Sequence, residues 1–243
     1  MKQYFLLSLT CFLLLCCQNA SRPPFEKLSF PSQDGLIITA DWFEKDPAKP
    51  AILLCHQAGY SRGEYRKTAR ELNEAGYNCL AIDQRSGDGV TGIINETATR
   101  AREKGLPNSY LDAEPDIRAA IDYLHARTGQ KIILWGSSYS ASLALKVAVG
   151  NDKVSKVVAF SPGEYLKGVK LSQEIGDLAK PTFVTSSAKE ANDVRKLMKG
   201  VKPKYVIQFA PEEGGIHGSR ALWESNTNKD DYWEALLSFL SEA

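Results

Sequence analysis

Apolar residues along this chain fall into short runs separated by polar stretches, and the runs predict an order of elements. Phe25–Phe30 and Leu36–Phe43 read as strands, with Asp34-Gly35 as the hairpin turn between them. Ala51–Cys55 (AILLC) is continuously apolar, as expected of a parallel strand covered on both faces. Tyr65, Ala69 and Leu72 then fall at helical spacing, and Gly76 closes that helix. Cys79–Ile82 is another buried strand, ending at Asp83, and a long polar connection, Gln84–Tyr110, follows it. Asp112 caps the next helix, which carries Ile117, Ala120, Ile121 and Leu124 on one face.

In the second half an apolar run, Ile132 to Trp135, breaks at Gly136 and gives way to an Ala/Leu-rich helix from Ala141 to Gly150. Val154–Phe160, Pro181–Thr185 and Tyr205–Ala210 predict three more strands. Leu171–Leu178, Ala191–Met198 and Asp231–Leu240 predict the helices between and after them. Strand and helix therefore alternate from Ala51 onward, after an antiparallel start. That order predicts an α/β fold: a doubly wound, mostly parallel sheet with helices on both faces. In such a sheet the chemistry sits at the carboxyl ends of the strands.

Composition changes this picture only at the margins. A length of 243 residues suits one domain with a sizeable core. The net charge of +1 comes with no basic stripe, repeat or low-complexity tract, which argues against a nucleic-acid partner. The N-terminus is separate in character. Met1-Lys2 is a short positive start and Tyr4–Leu15 is almost wholly apolar, too short to span a bilayer comfortably and shaped like a secretory segment. It ends in Leu14-Leu15-Cys16-Cys17 before polar Gln18-Asn19-Ala20-Ser21, which resembles a bacterial lipoprotein signal. The expected organisation is a signal over residues 1–17 with Cys17 acylated, a linker over 18–24 built on Arg22-Pro23-Pro24, and one domain over 25–243. The membrane would be met only through the lipid, in the cell envelope. Cys55 and Cys79 read as small buried core residues, and no Cys/His cluster has metal-ligand spacing.

The candidate chemistry gathers on Lys131–Leu143 (KIILWGSSYSASL). A strand that turns sharply into a helix with a serine at the tip is the nucleophile elbow, G-x-S-x-G. The tip residue is strained, and the residues two before and two after it crowd together, so both must be small. Ser138 meets this condition, with Gly136 before it and Ser140 after. Ser137 does not, because Trp135 and Tyr139 would collide, and Ser140 has no glycine to open the turn. After Ala51–Cys55 comes the glycine-containing loop His56-Gln57-Ala58-Gly59. It would supply one backbone N–H to an oxyanion, from Ala58 or Gln57, and Tyr139 would supply the other. His56 reads as a structural hydrogen-bonder and His125, inside a helix, as structural too. His217, in the Gly-rich loop after the last strand, is the candidate base. For the acid, Glu190 ranks first by its place after Pro181–Thr185, then Glu164 and then Asp193.

The motifs His56-Gln57-Ala58-Gly59, Asp83-Gln84-Arg85-Ser86-Gly87, Gly136-Ser137-Ser138-Tyr139-Ser140 and Gly215-Ile216-His217-Gly218 resemble those of α/β-hydrolases. Among the branches they are most similar to compact dienelactone-hydrolase-related esterases, and the resemblance covers Phe25 to the C-terminus. It implies a triad of Ser138, Glu190 and His217, a small-molecule ester substrate, and no metal or organic cofactor. Ser138 stands where dienelactone hydrolase itself carries cysteine, and Glu190 where aspartate is commoner. Two rival functions share the sequence: a peptidase or acyltransferase on the same triad, and a non-catalytic surface lipoprotein that keeps the fold as a binding scaffold. Ser161–Lys180 leaves no room for a cap domain, and Gln84–Tyr110 is mostly polar, so the expected substrate is a small or polar ester.

Overall fold

The computed structural model describes residues 25–242. The expected signal segment, its Cys17 and the linker over 18–24 lie outside the described residues. The chain opens with β1 (Glu26–Pro31) and β2 (Ile37–Phe43), paired antiparallel as a hairpin. The alternating part follows as β3 (Ala51–Cys55), α1 (Thr68–Glu74) and β4 (Asn78–Ile82). A two-stranded hairpin, β5 (Gly89–Val90) and β6 (Ile93–Ile94), precedes α2 (Glu96–Glu103) and α3 (Glu114–Thr128). Then come β7 (Ile132–Ser137), α4 (Tyr139–Ala148), β8 (Val154–Phe160) and α5 (Leu171–Glu174). The chain closes with β9 (Thr182–Thr185), α6 (Ala191–Leu197), β10 (Val206–Phe209) and α7 (Lys229–Ser241).

Eight strands form one sheet in the order β1-β2-β4-β3-β7-β8-β9-β10. The β1–β2 and β2–β4 pairs are antiparallel, and every pair from β4 to β10 is parallel. Every residue of β3, β4 and β7 is buried, because helices cover both faces of these central strands. On one face Leu53, Leu134 and Val157 pack under Ile117, Leu124, Leu143 and Leu145 of α3 and α4. On the other, Ile52, Leu54 and Trp135 pack under Leu72 of α1 and Leu236 and Phe239 of α7. Trp135 is stacked on Phe160 at 4.9 Å and met edge-on by Tyr65 at 6.3 Å. Burying one such leucine or isoleucine contributes about 1.5–3 kcal/mol, so the strands are held by their side chains and the loops at their ends inherit fixed positions.

Four expectations need correction. Leu171–Leu178 is helical only over Leu171–Glu174; Gly176 lies where the helix would continue, and turns replace it. The last strand is shorter than Tyr205–Ala210, because Pro203–Tyr205 forms a 3₁₀ turn before it. Asp112 does not cap α3: its carboxylate accepts the N–H of Ser109 at 2.7 Å and closes the turn before a short 3₁₀ segment. Gln84–Tyr110 is not a bare polar connection, since it holds β5, β6 and α2.

Two buried arginines fasten that segment to the sheet. Arg62 bonds Asp41 at 2.9 Å, Asp83 at 2.6 Å and Glu96 at 2.9 Å. Arg85 bonds Asp34 at 2.6 Å and Asp116 at 2.7 Å. Asn95 is buried at the N-terminus of α2, where it accepts the N–H of Ala98 and donates to the carbonyl of Gln84. Removing one partner of such a buried pair leaves an uncompensated charge, which typically costs about 3–5 kcal/mol. The loop after β4 is thus rigidly placed beside the end of β7. Between β8 and β9 the segment Ser161–Lys180 carries only α5.

Candidate active site

β7 drives straight into its turn. Ser138 has φ 57° and ψ −122°, a conformation that an L-residue adopts only under strain, and its N–H is tied to the carbonyl of Phe160 at 2.8 Å. The turn is so tight that a Cβ on Gly136 would lie 2.2 Å from the carbonyl oxygen of Ser140, which is why glycine must stand there. The three serines part company at this point. Ser137 donates to Glu64 at 2.9 Å and Ser140 to the carbonyl of His56 at 2.5 Å, both in the interior. Ser138 alone turns toward His217, with 2.8 Å between Oγ and Nε2.

His217 follows β10 and reaches across to Glu190, with 2.5 Å between Nδ1 and Oε1. The other oxygen of Glu190 accepts the Ser187 N–H at 3.1 Å, the Ser187 hydroxyl at 2.7 Å and the Ser161 hydroxyl at 3.0 Å. Burial alone would raise this carboxyl, but hydrogen bonds from His217, Ser187 and Ser161 outweigh it and hold it at about 2. An ionised carboxylate only accepts, so Nδ1 must carry the imidazole proton and Nε2 is left to accept from the Ser138 hydroxyl. Such a chain can take the proton from Oγ as the oxygen attacks an electrophile.

The other candidate acids are engaged elsewhere. Glu164 accepts the N–H groups of Leu171 at 2.7 Å and Ser172 at 3.1 Å. Asp193 is exposed on α6 and pairs with Lys196 at 3.1 Å. The other two histidines are likewise occupied. His56 is wholly buried, faces the carbonyl of Gln57 through Nδ1 at 2.9 Å and accepts the Gln84 N–H through Nε2 at 3.0 Å. Burial lowers its pKa to about 4, so it stays neutral. His125 meets the carbonyl of Gln130 at 2.7 Å, near the end of α3.

On the oxyanion side the two backbone candidates separate. The Gln57 N–H is committed to Glu64 at 2.7 Å, whereas the Ala58 N–H has no acceptor among the described residues. Tyr139 is the first residue of α4, so its N–H has no partner within the helix. Its ring is buried, stacks on Tyr110 at 4.5 Å and donates its hydroxyl to the carbonyl of Ser86 at 2.9 Å. Beside Glu190 opens a cleft of about 540 Å³ bordered by Pro162, Tyr165, Lys170, Val194 and Leu197. Among the described residues, no group of three or more His, Cys, Asp or Glu is arranged to hold a metal.

Three residues at the site escaped the sequence. Ser161 has φ 51°, a strained conformation, and ties together the Glu190 carboxylate and the Gly218 N–H at 3.0 Å each. Its position directly after β8 was the available signal. Ser187 is the neighbour that any acid after β9 would find. Glu64 lies under the elbow, five residues beyond the His56–Gly59 loop, and no spacing rule marks it.

The strand order, the elbow and the position of each loop define an α/β-hydrolase. The family model described as "Serine aminopeptidase, S33" matches residues 46–205, and the chain belongs to that family. The thiohydrolase apmlB of Arthrinium phaeospermum is 28% identical over 144 residues, which are 56% of this chain but only 43% of that protein. Among solved structures, an esterase of Pyrococcus furiosus superposes with a TM-score of 0.69 at 16% identity, covering 89% of both chains. A dienelactone hydrolase of Anabaena variabilis gives a TM-score of 0.64 at 16% identity, covering 90% of this chain and 97% of that one. At such identities these structures establish the shared fold, and the fold class expected from the order of strands and helices is the one observed.

Proposed function

We propose that this protein is a serine hydrolase that cleaves small or polar carboxylic esters through an acyl-enzyme. The observation that carries the reading is the continuous chain from Ser138 Oγ through His217 to Glu190, at 2.8 and 2.5 Å. Ser138 attacks the acyl carbonyl as His217 Nε2 takes its proton. The carbonyl oxygen becomes an oxyanion facing the N–H groups of Tyr139 and Ala58. Glu190 holds the tautomer and stabilises the imidazolium, which then protonates the departing alcohol. Water, deprotonated by the same imidazole, releases the acid and restores Ser138. The segment between β8 and β9 carries only α5 and offers no cap to cover a long chain, which supports a small or polar acyl group.

A panel of acetyl to palmitoyl aryl esters, lactones and aminoacyl anilides on the protein from residue 18 onward tests this. Hydrolysis favouring short or polar esters supports it, and activity rising steadily to palmitoyl contradicts it. The family's description favours a second reading, aminopeptidase action, which aminoacyl anilides cleaved ahead of every ester would select. For the N-terminus, an acylated Cys17 predicts a lipid-bearing intact mass after expression in a bacterial host. Unlipidated protein cleaved after Ala20 would contradict it.

A further inference from the structure

Beneath the elbow lies a carboxylate that the proposed mechanism leaves unused. Glu64 is 1% exposed and sits in the 3₁₀ turn Arg62–Tyr65, with no cation in salt-bridge contact among the described residues. Its two oxygens serve different segments. Oε2 accepts the N–H of Gln57 at 2.7 Å, and Oε1 accepts the hydroxyl of Ser137 at 2.9 Å. Ser137 Oγ in turn accepts the N–H of Ser219, two residues beyond His217, at 2.8 Å. One carboxylate therefore touches the loop that bears Ala58 and the strand that leads into Ser138, and through Ser137 the loop that bears His217. The packing there is close: a Cβ on Gly218 would lie 2.4 Å from Gln57 Oε1 and 2.6 Å from Ser137 Oγ.

Residue 57 is consequently held from both sides. Glu64 fixes its N–H, and the His56 ring fixes its carbonyl at 2.9 Å. The peptide between residues 57 and 58 is planar and trans, so pinning the Gln57 oxygen also sets the direction of the Ala58 N–H. A buried carboxylate with no cation in salt-bridge contact is costly to keep where packing alone would do. The ionisable groups facing it are Tyr65 beside it in the chain, and His217 and Arg220 from the loop after β10.

We propose that Glu64 is a positioning residue of this site: its carboxylate clamps the oxyanion loop to the nucleophile strand, and its negative charge favours the imidazolium that forms on His217 during attack. The proposal rests on the serine hydrolase reading. Burial pushes the Glu64 carboxyl up to about 7, against the lowering effect of the Gln57 and Ser137 hydrogen bonds, so the charge is lost within the working pH range. On protonation Oε1 can donate to Ser137 Oγ, so the clamp persists while the charge disappears. Glu64→Gln imitates that protonated form, with its amide donating to Ser137.

The test is the ratio of wild-type to Glu64→Gln kcat across about pH 5.5 to 9 on a short aryl ester. We expect kcat to be lower by roughly tenfold at the alkaline end with KM within about twofold, and the ratio to shrink toward one as pH falls through about 7. A ratio constant with pH, or equal to one throughout in folded protein, overturns the proposal. Should Glu64→Gln not fold, Ser137→Ala removes a hydrogen bond that lowers the Glu64 pKa. The acid limb of kcat is then expected at higher pH, and an unmoved limb is the contrary result. Fluorophosphonate labelling separates the two layers. If wild type labels at Ser138 but the ratio is flat, Glu64 loses its role alone; if Ser138 is never labelled, the reading beneath it fails.

Discussion

Glu190 is hydrogen-bonded to His217 and Glu64 to Ser137, next to Ser138, yet one carboxyl is held at about 2 and the other pushed to about 7. Burial opposes the charged form in both places. At Glu190, four hydrogen bonds reach the two oxygens and the side chain keeps 28% of its surface. At Glu64 only two neutral donors reach a carboxylate with almost no surface left. The number of donors, set against the loss of water, decides the direction. On the proposed reading, Glu190 stays charged and fixes the histidine, whereas Glu64 changes charge as pH passes about 7.

The largest effect is expected at Glu190. Glu190→Gln is expected to lower kcat by about 10³–10⁴-fold with the fold intact, since the amide supports the wrong tautomer of His217. Circular dichroism and ester kinetics on one preparation check both halves. If Glu164→Gln were the crippled variant instead, the acid would belong on the loop after β8. A subtler change, Ser161→Ala, removes one donor from Glu190 and the acceptor of the Gly218 N–H. Hydrogen bonds to charged groups contribute about 1.5–3 kcal/mol, so a loss of roughly ten- to a hundredfold in kcat is expected.

Stability against pH separates the two carboxyls by sign. Glu190 lies below its ordinary 4.5, so its contribution is present above 4.5 and is lost as pH falls toward about 2. Glu64 lies above 4.5, so its contribution is full below 4.5 and is lost as pH rises through about 7. Urea midpoints should therefore show Glu64→Gln more stable than wild type at about pH 8, by on the order of 1–3 kcal/mol, with no such gain at about pH 4. A gain that is the same at both pH values would remove the assigned ionisation. The smallest effects are expected at the acids engaged elsewhere: Glu164→Gln and Asp193→Asn should leave kcat within about twofold, as neither carboxylate meets His217.

What could be read from the sequence follows from how local each signal is. The apolar runs marked the central strands because β3, β4 and β7 are covered on both faces and leave no exposed position. The choice among Ser137, Ser138 and Ser140 was legible because the elbow imposes a steric rule on neighbours two residues away. His217 was legible from its strand end, and the ranking of acids from theirs. Gln84–Tyr110 was not, since β5 and β6 have two residues each and α2 is held through bonds from Glu96 to Arg62 and from Asn95 to the carbonyl of Tyr60, 34 and 35 residues away. Glu64 was hidden for the same reason: its partners lie 7 and 73 residues away, and no spacing rule connects them.

The proposed chemistry requires Ser138, driven by His217 and Glu190, to be the nucleophile. Labelling with a fluorophosphonate, followed by peptide mapping by mass spectrometry, tests it most directly. One adduct is predicted, on the peptide bearing Ser138; it should be absent in Ser138→Ala, retained in Ser140→Ala and slowed in Glu190→Gln. An adduct that persists in Ser138→Ala, or moves with Ser140, would contradict the account.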